Sequence, residues 1–188
     1  MIKANISDKQ LIVDILAGSF QENQSVNFII KQDKRKAARI RALMDYSFEI
    51  CSLFGEVYLS DNKKGCALII YPDKKRTTLR SISLDIKLAI KCLGIKNLLK
   101  AISRENMIAK EHPNELMYHL WFIGVSIESQ HSGVGSSLLQ DLINEGQKQK
   151  RAVYLETSTL KNIPWYQRFG FEIYNEIDLG YKLFFLKI

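Results

Sequence analysis

The chain has 188 residues, 46% of them hydrophobic and 25% charged, with a formal net charge of +7. That is enough for one domain with a sizeable core, and no apolar run approaches the roughly 20 residues a membrane span requires. Three cysteines, Cys51, Cys66 and Cys92, form no CxxC pair and read as reduced thiols of a cytoplasmic protein, while Asp8 and Asp14 inside the apolar pattern of Met1–Phe20 argue against a secretory leader.

Leu11, Ile12, Ile15 and Leu16 recur at helical spacing and predict a helix from Ile6 to Phe20, with Ser7 as N-cap and Gly18 near the end. Asp33 to Phe54 predicts a second helix, with Ala37, Ile40, Leu43, Met44 and Phe48 on its apolar side. Gly55–Leu59 and Cys66–Tyr71 predict a hairpin across the turn-rich segment Ser60–Gly65. Ser81–Leu93 and Lys96–Ala109 predict two helices parted near Gly94. Tyr118–Ile127 is nearly all apolar, as expected of a central strand buried on both faces. Gly133–Gln149 continues as an amphipathic helix through Leu138, Leu139, Leu142 and Ile143. Ala152–Thr157 predicts a short strand, and Pro164 opens a short helix ending near Gly170. Phe171–Ile177 and Tyr181–Ile188 close the chain as two strands. No repeat or linker interrupts this order, so residues 1–188 read as a single α/β domain.

Basic residues gather in Lys31–Arg41, Lys74–Arg80 and Lys148–Arg151. They suit solvated helix faces, or long-range attraction of an anionic ligand. They lack interleaved aromatics, and no zinc-finger or RNP pattern is present, so nucleic acid is not an expected partner.

The run Gln130-His131-Ser132-Gly133-Val134-Gly135-Ser136 stands between the long apolar strand and a helix start. A strand, a glycine-bearing turn and a helix N-terminus in that order suit a phosphate or pyrophosphate, because unpaired N–H groups and the positive end of the helix dipole face it. No lysine follows Gly135, which excludes a P-loop, and Leu138 stands where the dinucleotide fingerprint requires glycine.

The spacing Gln-x-x-Gly-x-Gly resembles the acetyl-CoA-binding turn of the GCN5-related N-acetyltransferase (GNAT) superfamily. Asn162-Ile163-Pro164-Trp165-Tyr166-Gln167-Arg168-Phe169-Gly170-Phe171 is similar to that superfamily's Asn…Phe-Tyr-x-x-x-Gly-Phe segment. The resemblance covers Leu116 to Phe171; before that, only the order of elements matches. It implies an α/β (α+β) fold, a single GNAT-like domain with a mixed central sheet whose splayed parallel strands are flanked by helices. Residues 1–115 would form a variable acceptor-side half and 116–188 the CoA-binding half.

By the same resemblance, Val125 and Ile127 offer backbone groups to the pantetheine of acetyl-CoA. Gln130, His131, Ser132, Gly133, Val134, Gly135 and Ser136 wrap the pyrophosphate with their amides, the two glycines being kept small by close approach. Ile127 stands where relatives often carry proline. Asn162 touches the CoA arm or, alternatively, caps the short helix. Tyr166 serves as general acid at the CoA sulfur or, alternatively, packs with Trp165, Phe169 and Phe171. His119 takes the position of a base glutamate in histone-type members, and an imidazole suits proton transfer near pH 7; a satisfied core histidine is the other reading. Glu156 is the rival base. His112, just before Pro113, has no assignable role.

The function so implied is an acetyl-CoA-dependent N-acetyltransferase working by direct attack of an amine, with no metal and no covalent cysteine. The acceptor is a small-molecule or protein amine, and the protein a monomer or homodimer. The helices from Ser81 to Ala109 would wall the acceptor site, with Lys87, Lys91, Lys96, Lys100, Arg104 and Lys110 turned to solvent. Two other classes stay open: a CoA-binding sensor without catalysis, and a basic nucleic-acid-binding protein.

Overall fold

A mixed seven-stranded sheet divides the molecule, and its two faces bury separate apolar layers. The computed structural model describes the backbone of residues 1–188 and every side chain except those of Ile95 and Lys96. The chain begins with β1 (Ile2–Lys3), α1 (Lys9–Ser19), α2 (Gln24–Ile29), α3 (Lys36–Phe54) and the hairpin β2 (Gly55–Leu59) and β3 (Gly65–Ile70). It continues through α4 (Leu79–Leu88), a π-helical turn at Ala89–Leu93, and α5 (Ile95–Glu111). The second half is β4 (Met117–Val125), α6 (Val134–Lys148), β5 (Ala152–Thr157), α7 (Ile163–Gln167), β6 (Glu172–Asp178) and β7 (Lys182–Lys187).

The strand order is β1-β2-β3-β4-β5-β7-β6. One layer packs Ile12, Leu16, Ile40, Met44 and Phe48 of α1 and α3 against Leu59, Cys66 and Leu68 of the sheet. On the other side Leu138, Leu139 and Leu142 of α6 meet Tyr118, Leu120, Val153 and Leu155. A small third cluster joins Ile108 of α5 to Leu183 and Phe185 of β7. All three cysteines are buried in the first layer, as small apolar side chains.

The feature that positions the site is a parting of the two parallel strands. β4 and β5 pair only from Met117 to His119 against Ala152 to Tyr154. Just beyond, β4 carries a bulge: Leu68 of β3 faces Phe122 and Ile69 faces Leu120, leaving Trp121 as an extra residue. An extra residue bends the bulged strand and increases its twist, so β4 turns away from β5 as soon as the last parallel pair is made. β5 continues to Thr157 against β7 alone.

Several predicted boundaries move for local reasons. Asn5 caps the first turn in place of Ser7, in a reciprocal capping box with Asp8, and a 3-10 turn at Ile6–Asp8 precedes α1. Thr78 with Ser81 makes a second capping box and starts α4 earlier than predicted. β4 ends at Val125, so Ile127 is not a strand residue; it opens a 3-10 turn, Ile127–Ser129, and is 66% exposed. β1 and α2 are additions to the predicted order; two and six residues are too short for a periodic signal.

Candidate active site

The glycine turn meets α6 with its N-terminus free. Backbone at His131 (φ +63°) and Gly133 (φ +87°) is left-handed, which reverses the chain sharply between the 3-10 turn and the helix. Gly133 occupies the N-cap position, and among the described residues no side chain caps α6. The first amides of a fifteen-residue helix are thus available to an anion. Gly133 is needed for its φ and not for space, since a Cβ there would meet nothing within 4 Å. A Cβ at Gly135 would make ordinary contacts, 3.4 Å from Val125 Cγ2 and 3.7 Å from Trp165 Cζ2. Within the turn, Ser132 Oγ donates to the Ser129 carbonyl at 2.6 Å.

The second motif docks on the first. Trp165 Nε1 donates to Ser136 Oγ at 3.0 Å, which fastens α7 to the opening turn of α6. Asn162 holds the N-cap position of α7, yet its side chain makes no capping hydrogen bond there. The Val125 carbonyl accepts from Ser19 Oγ at 2.9 Å and Gln130 Nε2 at 3.5 Å, so it is committed inside the protein.

Tyr166 is buried against Trp165 and Phe171, at ring separations of 4.7 and 5.7 Å, and so belongs to the α6 side of the sheet. Its hydroxyl has no hydrogen-bond partner among the described residues. It is nevertheless not one of the sealed unpaired polar atoms, which are Asn27 Oδ1, Tyr118 Oη, Ser126 Oγ and Tyr174 Oη. Burial pushes the phenol above its ordinary range, so it stays protonated and able to donate.

His119 and Glu156, set against each other as rival bases on sequence grounds, are partners. His119 Nε2 lies 2.8 Å from Glu156 Oε2, and His112 Nε2 lies 2.7 Å from the other oxygen, Glu156 Oε1. The imidazoles stand edge to face, 5.1 Å apart. His112 immediately follows α5, so this cluster lies on the α5 side, across the sheet from Tyr166. Burial alone would raise the Glu156 pKa, but the charges and hydrogen bonds of the two imidazoles hold it well below the carboxylate range. Burial pulls His119 down, and Glu156 outweighs it, leaving the imidazole pKa raised. With Nε2 turned to Glu156, Nδ1 of His119 has no protein partner among the described residues and is not a sealed atom either. The role of His112 was not legible in the sequence: 44 residues separate it from Glu156, and only the fold closes that gap.

Residues 98–173 match the family described as acetyltransferase (GNAT) domain. Over those residues the chain is similar to a GNAT acetyltransferase domain. Solved structures show the same fold over nearly the whole chain. A Corynebacterium glutamicum protein described as histone acetyltransferase HPA2 and related acetyltransferase superposes with a TM-score of 0.72 at 23% identity, covering 99% of this chain and 93% of that one. Arylalkylamine N-acetyltransferase 2 of Aedes aegypti gives 0.61 at 12% identity, covering 99% and 95%. An N-acetyltransferase of Staphylococcus aureus gives 0.56 at 15% identity, covering 99% and 98%. The GNAT match spans both glycine-containing motifs and the parted strands, the parts of the molecule that the sequence motifs singled out.

On the other half, Lys87, Lys91, Lys100 and Lys110 are exposed as predicted, and the Lys96 side chain lies outside the described residues. Arg104 departs from the pattern. Only 12% exposed, it donates from Nε to Tyr181 Oη at 2.9 Å, pairs with Glu105, and lines a cavity of about 240 Å³ with Phe28, Lys100, Met107 and Asp178. Among the described residues, no helix is long and apolar enough to cross a membrane.

Proposed function

We propose that this protein transfers an acetyl group from acetyl-CoA to an amine. The observation that carries the proposal is the coincidence of two features at one edge of β4: the uncapped start of α6, and the gap that opens where β4 leaves β5. A CoA diphosphate suits the first, since the freed amides and helix dipole favour negative charge. An extended pantetheine suits the second, because β4 beyond His119 has no β5 neighbour and alternate backbone groups along it face the gap. The half-buried amide of Asn162, free of any capping duty, fits a contact with the same arm. Amides of Gln130 to Ser136 would hold the diphosphate, and Val125 and Ile127 would flank the pantetheine.

The chemistry divides between the two sides of the sheet. A lysine-like amine is only about 0.1% neutral at physiological pH, so the acceptor must lose a proton. Nδ1 of His119 is the acceptor atom for that proton, with Glu156 fixing the ring from Nε2 as the third group of a base–orienter pair. The neutral phenol of Tyr166 donates to the departing sulfur from the opposite side. The amine itself attacks the thioester carbonyl, as an N-acetyltransferase of direct mechanism requires.

Calorimetric titration with acetyl-CoA, CoA and ADP tests the proposal. Saturable one-to-one binding, with ADP much weaker than acetyl-CoA, is the expected result. A folded sample that binds neither acetyl-CoA nor CoA would overturn it.

A further inference from the structure

Glu156 sits between two imidazoles that reach it from separate elements. His112 comes from the end of α5, His119 from β4 and Glu156 from β5. Their side chains are 17%, 8% and 10% exposed, so each is held by its surroundings before any ligand arrives. Two imidazole nitrogens and one carboxylate are the protein ligands of an open zinc site, which keeps its fourth position for water or another ligand.

We propose that His112, His119 and Glu156 bind a Zn²⁺ ion. The three ligand atoms already lie within 4.8 Å of one another, and no other such group of three occurs among the described residues. Around a tetrahedral zinc, ligand atoms about 2.0–2.2 Å from the metal stand roughly 3.4 Å apart. The two His–Glu contacts, at 2.7 and 2.8 Å, must therefore open by less than about 1 Å. The imidazole nitrogens, at most 4.8 Å apart, must close by up to about 1.4 Å, which rotation of the half-buried His112 side chain can supply. Nitrogen donors select zinc over magnesium and calcium, which require oxygen shells. The cysteines do not compete, since all three are buried in the α1–α3 layer.

Zinc replaces the two hydrogen bonds to Glu156 with two Nε2–metal bonds, and each neutral ring then carries its proton on Nδ1. In that state His119 Nδ1 has no lone pair to offer. Zinc would act as a reversible inhibitor of acetyl transfer that leaves acetyl-CoA binding intact. That consequence rests on the proposed transferase function; the metal site itself does not.

The test is a calorimetric titration of the metal-free, untagged chain with zinc chloride, beside a separate titration with acetyl-CoA. One zinc per chain in the micromolar range or tighter is expected, with affinity at least tenfold weaker in His112→Gln, since even ligand-supporting groups carry that much. No saturable binding, or equal affinity in His112→Gln, would overturn the site. A long-range proton–nitrogen spectrum of the wild-type chain decides the matter without any variant. Of the three histidines, two should move to the pattern of Nε2 coordination while the exposed His131 stays unchanged; movement of His131 alone would count against the site. Zinc binding without acetyl-CoA binding would remove the transferase reading and leave the metal site standing. Acetyl-CoA binding without zinc would do the reverse.

Discussion

Tyr166 and His119 share an unusual property for buried polar residues: each keeps one polar atom with no partner among the described residues yet not sealed away. Buried polar groups are normally paired, and the many hydroxyls of the chain that serve structure are bonded, as Tyr58 and Tyr71 are to Glu56. Tyr166→Phe therefore removes no internal hydrogen bond. It should leave the melting temperature and acetyl-CoA affinity unchanged, while kcat for an identified acceptor falls about 10²–10⁴-fold, the usual worth of a positioned acid; an unchanged kcat would remove the acid role. The two glycines separate in the same way. Gly133→Ala forces a Cβ into left-handed backbone and should cost about 1–2 kcal/mol of stability. Gly135→Ala has ordinary room and a helical position, so its melt should match or exceed wild type. Its acetyl-CoA affinity should nevertheless fall at least tenfold if phosphate lies against that backbone, and unimpaired affinity would move the diphosphate elsewhere.

At the scale of elements, the two motifs become one site through α6 and α7. The Trp165 indole both covers Gly135 and donates to Ser136. Trp165→Phe keeps the ring contacts with Tyr166 and Phe169 and deletes the donor, so it should cost about 1 kcal/mol of stability. It should also weaken acetyl-CoA binding by loosening the start of α6; equal affinity would show that the turn holds its shape alone. The gap itself comes from the bulge at Trp121. That bulge was not legible, because a strand buried on both faces has no apolar–polar alternation whose phase could slip. The run from Tyr118 onward announced a central strand but not where it would bend, nor that Ile127 would fall outside it.

Across the whole molecule, a partly buried polar network ties the first strands to the second half. Glu56 accepts from Lys3 at 2.8 Å, Tyr58 at 2.7 Å, Tyr71 at 2.6 Å and Gln149 at 3.2 Å, linking β1 and β2 with the segments that follow β3 and α6. Burial would raise the Glu56 pKa, but Lys3 and the tyrosine and glutamine donors together bring it down to about 2 from 4.5. A depressed carboxylate stabilises the fold above its unfolded pKa and loses that contribution as pH falls through the folded value. Glu56→Gln should accordingly cost about 2 kcal/mol near neutrality, roughly 4–8 °C in a domain of this length. The gap in melting temperature between variant and wild type should close as pH falls from about 4.5 to about 2; a gap independent of pH would mean that packing, not charge, is what Glu56 supplies.

The sequence by itself determined the local features of this protein. Helical spacing located α1, α3 and α6, turn chemistry located the β2–β3 hairpin, and two short motifs pointed to the GNAT fold, because each of these signals is carried by residues near one another in the chain. Only the tertiary structure decided what distant residues do together. It made Glu156 the partner of His119 in place of its rival, brought in His112, turned Arg104 inward, and set Tyr166 on the opposite side of the sheet from the imidazoles. Those outcomes follow from strand pairing, a bulge and the register of β4 against β5, and register is a property of two segments meeting, which neither segment encodes alone.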